Sequence, residues 1–305
     1  MLVYVNGQFV PEENAAISVR DRGFLFGEGI YETLRATQGA PFLEDRHYKR
    51  FCHSAEVLDF KGVLSHLDWK AMLKGLLDKN ATKDALIRVI MTRGRGFPGK
   101  LLPDEDVPST VVAMVIPYPG RPEKFFNEGI EVALSETAVT RGLAPEAKTL
   151  DMIGSYLLRR RNTAAFEVLR VNREGFLAEG TVSNLFWIEG NKLMTPSLDT
   201  GILPGISRSL VLELAASVGL FQTEVKATPM TLQDATEVFL TSTSVGIIPV
   251  RRMNVIPDGG GAQRPVGMMA TTKNWPVPGP ATKLLAGVFE EFRREWCGDW
   301  LRDNS

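Results

Sequence analysis

The letters A-K-T-L-D-M, from Ala147 to Met152, open a stretch of chain that closes on L-A-E-G-T-V-S-N-L-F, from Leu177 to Phe186. One lysine, Lys148, stands near its start, and one glutamate, Glu179, stands near its end. A lysine amine can form a Schiff base with a carbonyl carbon, and a carboxylate can keep a ring nitrogen protonated. Both residue types are common in soluble proteins, so the pair gains meaning only from the motifs around it.

Between these two ends the pattern predicts a helix, a short strand and a turn. Apolar residues recur at helical spacing from Gly154 to Val168, and the whole region from Met152 to Arg170 is helical in pattern. The apolar run Leu169 to Val171 follows, and Asn172 to Gly175 has the composition of a turn. The basic run Arg159 to Arg161 within the predicted helix is interpreted as a face exposed to solvent.

The bulk composition excludes several classes of protein. The chain has 305 residues, a formal net charge of -1, 44% hydrophobic and 23% charged residues. These values are ordinary for a soluble globular protein, and they give no electrostatic case for binding nucleic acid or a membrane surface. No run is long and apolar enough to span a bilayer. The first seven residues indicate a strand entering a turn and not a secretory signal.

The cysteines and histidines do not form a metal-binding pattern. Cys52 and Cys297 lack metal-ligand spacing and are expected to stay reduced in a cytoplasmic protein. Only His47, His53 and His66 are available, so no metal site is predicted.

The first third of the chain predicts a hairpin, a glycine-rich loop and helices. Asn6-Gly7 suits a type I′ turn between two short strands. The sequence R-G-F-L-F-G-E-G-I-Y-E, from Arg22 to Glu32, indicates a loop whose backbone packs closely, although turn punctuation is the plainer reading. In the predicted helix Glu44 to Phe60, Arg50 is either a phosphate ligand or a solvated cation.

A basic glycine-rich loop lies between two predicted buried strands, Ala85 to Thr92 and Thr110 to Ile116. It contains Arg93 and Arg95, either of which could hold a substrate carboxylate, but a solvated surface turn is an equal alternative. The proline- and glycine-rich segment Tyr118 to Pro122, after these strands, is the best linker signal in the chain. We therefore predict an N-terminal domain over residues 1–118, a linker over 119–123 and a C-terminal domain over 124–305.

The last third contains two further motifs. G-I-L-P-G-I-S-R, from Gly201 to Arg208, leads into a predicted helix over Ser207 to Val218, whose N-terminus could receive an anion. E-V-F-L-T-S-T-S, from Glu237 to Ser244, is a predicted strand that ends in hydroxyl residues. The proline- and glycine-rich segment Asn254 to Gly279 is either a mobile flap or a contact between subunits, and Ala281 to Trp296 is a predicted amphipathic helix.

These motifs, in this order, resemble those of the class IV aminotransferase family, and the resemblance covers nearly the whole chain. It implies an α+β fold of fold type IV with two domains, a smaller N-terminal α/β domain and a larger C-terminal pseudo-barrel. It also implies pyridoxal 5′-phosphate as cofactor, amino acid and keto acid substrates, and a homodimer.

The resemblance assigns roles by position. It implies that Lys148 carries the cofactor and moves the proton, that Glu179 faces the ring nitrogen, that Leu203 packs on the ring, and that Tyr31 lines the substrate pocket. The implied phosphate ligands are Arg50, Ile206, Ser207, Ser242 and Thr243.

The donor substrate is less well specified. The D-amino-acid enzymes typically carry a histidine two residues after the loop arginine, and this chain has none there. Relatives often carry Asn or Tyr soon after the lysine, where this chain has Asp151 and Met152. We favour a transaminase for D-amino acids or related donors. A branched-chain L-amino acid aminotransferase, an R-amine transaminase, an aminodeoxychorismate-type lyase and a non-enzymatic cofactor carrier remain alternatives.

Overall fold

The computed structural model describes residues 1–60, 67–103, 107–138, 141–256 and 272–304. His66 and the middle of the predicted flap, residues 257–271, lie outside the described residues. The chain divides into two compact units: the first comprises Met1–Pro119, Ala147–Asp151 and Arg293–Ser305, and the second Gly120–Glu146 and Met152–Phe292.

The first unit is built on an antiparallel sheet of six strands, in the order β2-β1-β6-β5-β3-β4. Its strands are β1 (Leu2–Val5), β2 (Gln8–Pro11), β3 (Gly29–Thr37), β4 (Ala40–Pro41), β5 (Ala85–Thr92) and β6 (Thr110–Pro117). Its helices are α1 (Arg22–Phe26), α2 (Glu44–Val57) and α3 (Trp69–Lys79).

The core of this unit follows from alternation in β5 and from the apolar faces of α2 and α3. Alternate residues of β5 are buried, and Ile87 and Val89 pack with Phe51 of α2 and Leu73 of α3. The predicted hairpin turn is confirmed, since Asn6 and Gly7 have φ angles of 47° and 94°. The sheet thus gives β3 a rigid backing.

The lysine segment belongs to the first unit, although the sequence pattern predicts a C-terminal domain that is continuous from residue 124. Its backbone pairs with the start of β3: the Tyr31 amide donates to the Lys148 carbonyl at 2.9 Å, and the Leu150 amide donates to the Gly29 carbonyl at 2.9 Å. A Cβ atom on Gly29 would lie 2.4 Å from the Leu150 side chain, so only glycine allows this approach. At the other end of the chain, Trp296 packs edge-on against Phe42 of the same unit.

The second unit contains a mixed sheet of nine strands, in the order β12-β11-β10-β13-β14-β7-β8-β9, with β15 paired to β14. The strands are β7 (Ile130–Ala138), β8 (Glu167–Val171), β9 (Leu177–Gly180), β10 (Asn184–Glu189), β11 (Lys192–Pro196), β12 (Phe221–Val225), β13 (Glu237–Ser242), β14 (Gly246–Ile256) and β15 (Lys273–Asn274). The sheet curls, since β9 at its end also contacts β10 and β11. The remaining helices are α4 (Lys124–Asn127), α5 (Ile153–Arg161), α6 (Ile206–Leu214) and α7 (Pro280–Asp303).

The helix predicted from Gly154 to Val168 is too long. The helix α5 ends at Arg161, and Glu167 to Val171 forms β8, parallel to β7. All five residues of β8 are buried, so pairing in the sheet overrides the helical spacing of their apolar side chains. Among the described residues, no helix combines the length and the apolar character needed to cross a bilayer.

Candidate active site

Lys148 is half-buried and its backbone is held at both ends of the residue. Its amide donates to the Ser54 hydroxyl at 3.1 Å, and its carbonyl accepts from the Tyr31 amide. Its Nζ atom lies 3.3 Å from the Tyr31 hydroxyl and 4.3 Å from the centroid of that ring. The structure therefore brings together two predicted site residues, a lysine amine and a phenol.

Arg88 joins this pair and was not predicted from the sequence. Its guanidinium carbon lies 3.8 Å from the centroid of the Tyr31 ring, a cation–π contact. In the register of β3 and β5, Arg88 is opposite Thr33, two residues along from Tyr31 and hence on the same face of the sheet. The sequence feature that could have identified Arg88 is that it is the single charged residue in the largely apolar strand Ala85–Thr92.

The predicted phosphate ligand Arg50 forms a fork with Glu32. Its Nε and Nη2 atoms donate to the two carboxylate oxygens of Glu32 at 2.7 and 2.9 Å. His47 Nδ1 lies 2.7 Å from Glu32 Oε2. All three side chains are buried, which fixes the orientation of the Arg50 guanidinium.

This network perturbs the acid–base properties of its members. Burial tends to raise the pKa of Glu32, but the adjacent Arg50 and His47 outweigh it and hold that pKa below its ordinary value. Burial lowers the pKa of His47, and the positive charges of Arg50 and Lys148 act in the same direction against Glu32. At neutral pH the network therefore contains an ionised glutamate, an arginine and a neutral histidine.

The two loop arginines have different environments. Arg93 donates to Glu28 Oε2 at 3.0 Å, to the Asp59 carbonyl at 2.9 Å and to the Leu58 carbonyl. Glu28 also accepts from the buried Arg22, so this network holds the loop together. Arg95 is exposed and lines a cavity of about 450 Å³. Of the two, Arg95 is the more accessible, although the described residues that line this cavity do not include Lys148 or Tyr31.

Glu179, in the second unit, is surrounded by donors. Its Oε1 accepts from Arg170 Nη2 at 2.8 Å and lies 3.5 Å from Arg141 Nη1. Its Oε2 accepts from Asn184 Nδ2 at 3.1 Å and from the Leu203 amide at 3.1 Å. The predicted residues Glu179 and Leu203 are thus in direct contact, whereas Arg170 and Asn184 were not predicted.

Asn184 also organises the entrance to α6. Its Nδ2 donates to the Leu203 carbonyl at 3.0 Å, and a Cβ on Gly205 would lie 2.0 Å from its Oδ1. Gly205 is the residue before α6, and it provides no side-chain cap, so amides at the start of the helix remain available to an anion. The predicted residues Ile206 and Ser207 begin this helix.

The end of β13 lies beside Asn184 in the sheet. Thr241 is opposite Asn184, and its buried hydroxyl has no hydrogen-bond partner among the described residues. Ser242 ends the strand, and its hydroxyl is 3.2 Å from that of Ser244. Hydroxyls and helix amides near one another suit a phosphate group, so these residues fit the phosphorylated cofactor that the motifs imply.

A second buried acid, Glu167, shapes the loop that follows Glu179. It accepts from the amides of Thr181 and Val182 at 3.1 and 3.2 Å and from the Ser183 hydroxyl at 3.0 Å. Only Gly180 fits beside it, because a Cβ there would lie 2.3 Å from the Ser183 hydroxyl. Sequence reasoning missed Glu167 because it took this position for helix. No cluster of three metal-binding side chains occurs in the described part of the chain.

A family profile described as "Amino-transferase class IV" matches residues 29–253. The chain is 32% identical to a candidate branched-chain-amino-acid aminotransferase of Methanocaldococcus jannaschii, over 97% of this chain and 98% of that protein. It is 32% identical to the D-alanine aminotransferase of Bacillus licheniformis, over 87% and 93%. It is 31% identical to the aminodeoxychorismate lyase of Bacillus subtilis, over 85% and 88%.

Solved structures show the same architecture. The T.th. branched-chain amino acid aminotransferase, determined with pyridoxamine 5′-phosphate, superposes with a TM-score of 0.79 at 26% identity. The match covers 98% of this chain and 97% of that one.

Proposed function

Because the chain belongs to the class IV aminotransferase family, we propose that it is a pyridoxal-phosphate-dependent transaminase that moves an amino group from an amino acid to a 2-keto acid. The predicted family and the fold type IV architecture are confirmed by the profile and by the structural match. The family depends on pyridoxal phosphate, as predicted, and the T.th. relative was solved with the amine form of that cofactor.

The observation that carries the proposal is the fixed Lys148 amine beside the Tyr31 hydroxyl. We assign Lys148 to hold the cofactor aldehyde; its free amine would act as the base that takes a proton from the substrate α carbon and as the acid that returns it two atoms away, across the substrate nitrogen. The bound cofactor supplies an electron sink for the charge that develops. The Tyr31 hydroxyl accepts from the Lys148 amine at 3.3 Å, which helps to orient that amine.

The cofactor ligands remain as the motifs predict them. Glu179 is assigned to the ring nitrogen and Leu203 to the face of the ring. Ile206, Ser207, Ser242 and Thr243 are assigned to the phosphate with Arg50, whose orientation is fixed by Glu32.

For the substrate carboxylate we propose Arg88, with the exposed loop residue Arg95 as a second candidate. Arg88 lies over the ring that also contacts the Lys148 amine, whereas the three guanidinium nitrogens of Arg93 all donate to Glu28, Leu58 or Asp59. A guanidinium at this position favours donors that carry a carboxylate over simple amines.

We favour D-amino acids as donors, in line with the D-alanine aminotransferase relatives. Branched-chain L-amino acids are the second candidate, because the Methanocaldococcus jannaschii relative matches over 97% of this chain. The predictions of a homodimer and of a cytoplasmic location remain predictions. Exposed apolar side chains in the first unit, at Phe24, Phe97 and Leu101, suit a subunit interface.

The test is a screen of D-amino acids, L-amino acids and R-amines, read from the absorption spectrum of the bound cofactor. A transaminase converts the cofactor to its amine form with a matching donor and reverses the change with a keto acid. Release of pyruvate without a keto acid would indicate the lyase instead, and a spectrum that no donor changes would indicate a carrier.

Two variants make this test specific. Lys148→Ala should abolish conversion, and conversion at the original rate would overturn the mechanism. Arg88→Met should raise KM for carboxylate donors by about tenfold or more, as expected for a lost ion pair. Arg35→Met is the matched control, since Arg35 stacks on Tyr118 in the same sheet.

A further inference from the structure

Arg170 is a buried cation that the proposed reaction does not yet use. It lies on β8, opposite β9, and the residue is only 3% exposed. Its Nη2 atom donates to Glu179 Oε1 at 2.8 Å and to the Gly180 carbonyl at 3.1 Å, while its Nε atom is buried without a partner among the described residues. Burying a guanidinium is costly, so its place against the one acid assigned to the cofactor ring calls for an explanation.

Glu179 is positioned by two donors other than Arg170. The Oε2 atom of Glu179 is already held by Asn184 and by the Leu203 amide, both at 3.1 Å, and neither donor is charged. The loop after Glu179 is held separately, by Glu167. The contribution of Arg170 is therefore mainly its charge.

The donors around Glu179 also limit what else can bind it. A carboxylate offers about four lone-pair sites. Arg170, Asn184 and the Leu203 amide take three at 2.8 to 3.1 Å, and Arg141 approaches the fourth at 3.5 Å. A further N–H donor must share or displace the longest of these contacts.

From this arrangement we infer that Arg170 offsets the negative charge of Glu179 and so keeps the ring nitrogen of the bound cofactor less protonated than Glu179 alone would. This inference rests on the proposed function, in which Glu179 faces that nitrogen. The physical reason is Coulombic. The Arg170 cation cancels part of the negative charge of the Glu179 carboxylate, and that charge is what would favour a protonated ring nitrogen. The charged groups near the carboxylate are Arg170 on β8, Arg141 before the lysine segment and, through its effect on Arg170, Glu167.

The experiment uses the full chain loaded with cofactor labelled with ¹⁵N in the ring, and it measures the nitrogen chemical shift as a function of pH. Arg170→Met removes the charge and keeps much of the volume. We expect its ring nitrogen to stay protonated to a pH higher by on the order of one unit than in the wild type. Arg170→Lys keeps the charge and should give a curve close to that of the wild type.

Arg159→Met is the matched control. Arg159 also pairs with a buried glutamate of this unit, but its partner is Glu167, at 3.3 Å, instead of Glu179. It should leave the nitrogen curve unchanged. If Arg170→Met does not fold, Arg141→Met decides the question, with a smaller change in the same direction, and no change there overturns the inference.

The proposed function and the role of Arg170 can fail separately. A wild-type chain that gains no cofactor mass on Lys148 after borohydride treatment overturns the proposed function. A chain that gains that mass, but whose ¹⁵N curve is the same in the wild type and in Arg170→Met, overturns the role of Arg170 alone.

Discussion

Two buried glutamates, one in each unit, are paired with arginine in different ways. Glu32 receives a two-bond fork from Arg50, a contact from His47 and a longer bond from the Thr33 amide, so most of its partners are charged or titratable. Glu179 receives one short bond from Arg170 on one oxygen, while two neutral donors hold the other. In the first unit the acid fixes the orientation of an arginine, and in the second an arginine adjusts the charge of an acid.

The largest expected effect comes from breaking the first network. Glu32→Gln leaves the charge of Arg50 buried without its counter-ion, so the free energy of unfolding should fall by about 3–5 kcal/mol. Chemical denaturation measures this change. The double variant Glu32→Gln with Arg50→Met should recover part of the loss, because a neutral buried pair replaces an unpaired ion. If the free energy of unfolding of Glu32→Gln alone stayed within about 1 kcal/mol of the wild type, the contrast between the two glutamates would be wrong.

Breaking the second network should affect catalysis more than stability. In Glu179→Gln the amide oxygen and the Gly180 carbonyl still accept from Arg170, and the nearby Glu167 carboxylate still offsets part of its charge, so the protein should fold. Loss of the negative charge at the ring should lower kcat by about 10²-fold at saturating cofactor, a typical cost of one electrostatic contact in a transition state. Glu32→Gln should instead weaken cofactor binding at little cost in kcat. A large loss of kcat in Glu32→Gln, with only weaker cofactor binding in Glu179→Gln, would contradict the comparison.

Gly205→Ala sharpens the description of the second region. The added methyl would lie 2.0 Å from Asn184 Oδ1, so Asn184 must move away from Glu179 and Leu203. Overpacking of this kind costs about 1–3 kcal/mol, and cofactor affinity should fall with it. Gly287→Ala in α7 is the control, since nothing lies near its Cβ position among the described residues. Equal cofactor affinity in the two variants would argue against a built site at α6.

The smallest effect, taken per pH unit, is the pH dependence of the first region. The pKa values of His47 and Glu32 both lie below their ordinary values of 6.5 and 4.5, so the unfolded chain binds these protons more readily than the folded one. Stability is therefore complete above about pH 6.5 and falls as the pH drops, first through His47 and then through Glu32, by at most about 1.4 kcal/mol per pH unit and group. His47→Gln should remove the first step, and the exposed His53→Gln should not.

The sequence predicted residues that belong to contiguous motifs. Lys148 with Tyr31 and Glu179 with Leu203 are in contact within their units, because the motifs mark backbone positions that the fold needs. It missed Arg88, Arg170 and Glu167, whose roles depend on strand register, and register is set by partners distant in the chain. The overlong helix after Lys148 concealed both Glu167 and Arg170, since helical spacing and a buried strand are hard to distinguish over a few apolar residues.

The discontinuity of the first unit has a consequence for biosynthesis. Residues 147–151 pair with β3, and Trp296 packs on Phe42, so this unit includes two segments that are made well after its six strands. A nascent chain that grows from its N-terminus can form the six-stranded sheet early, but the aromatic contact must wait until residue 296 has left the ribosome. Lys148 can therefore pair with β3 before the unit that carries it is complete.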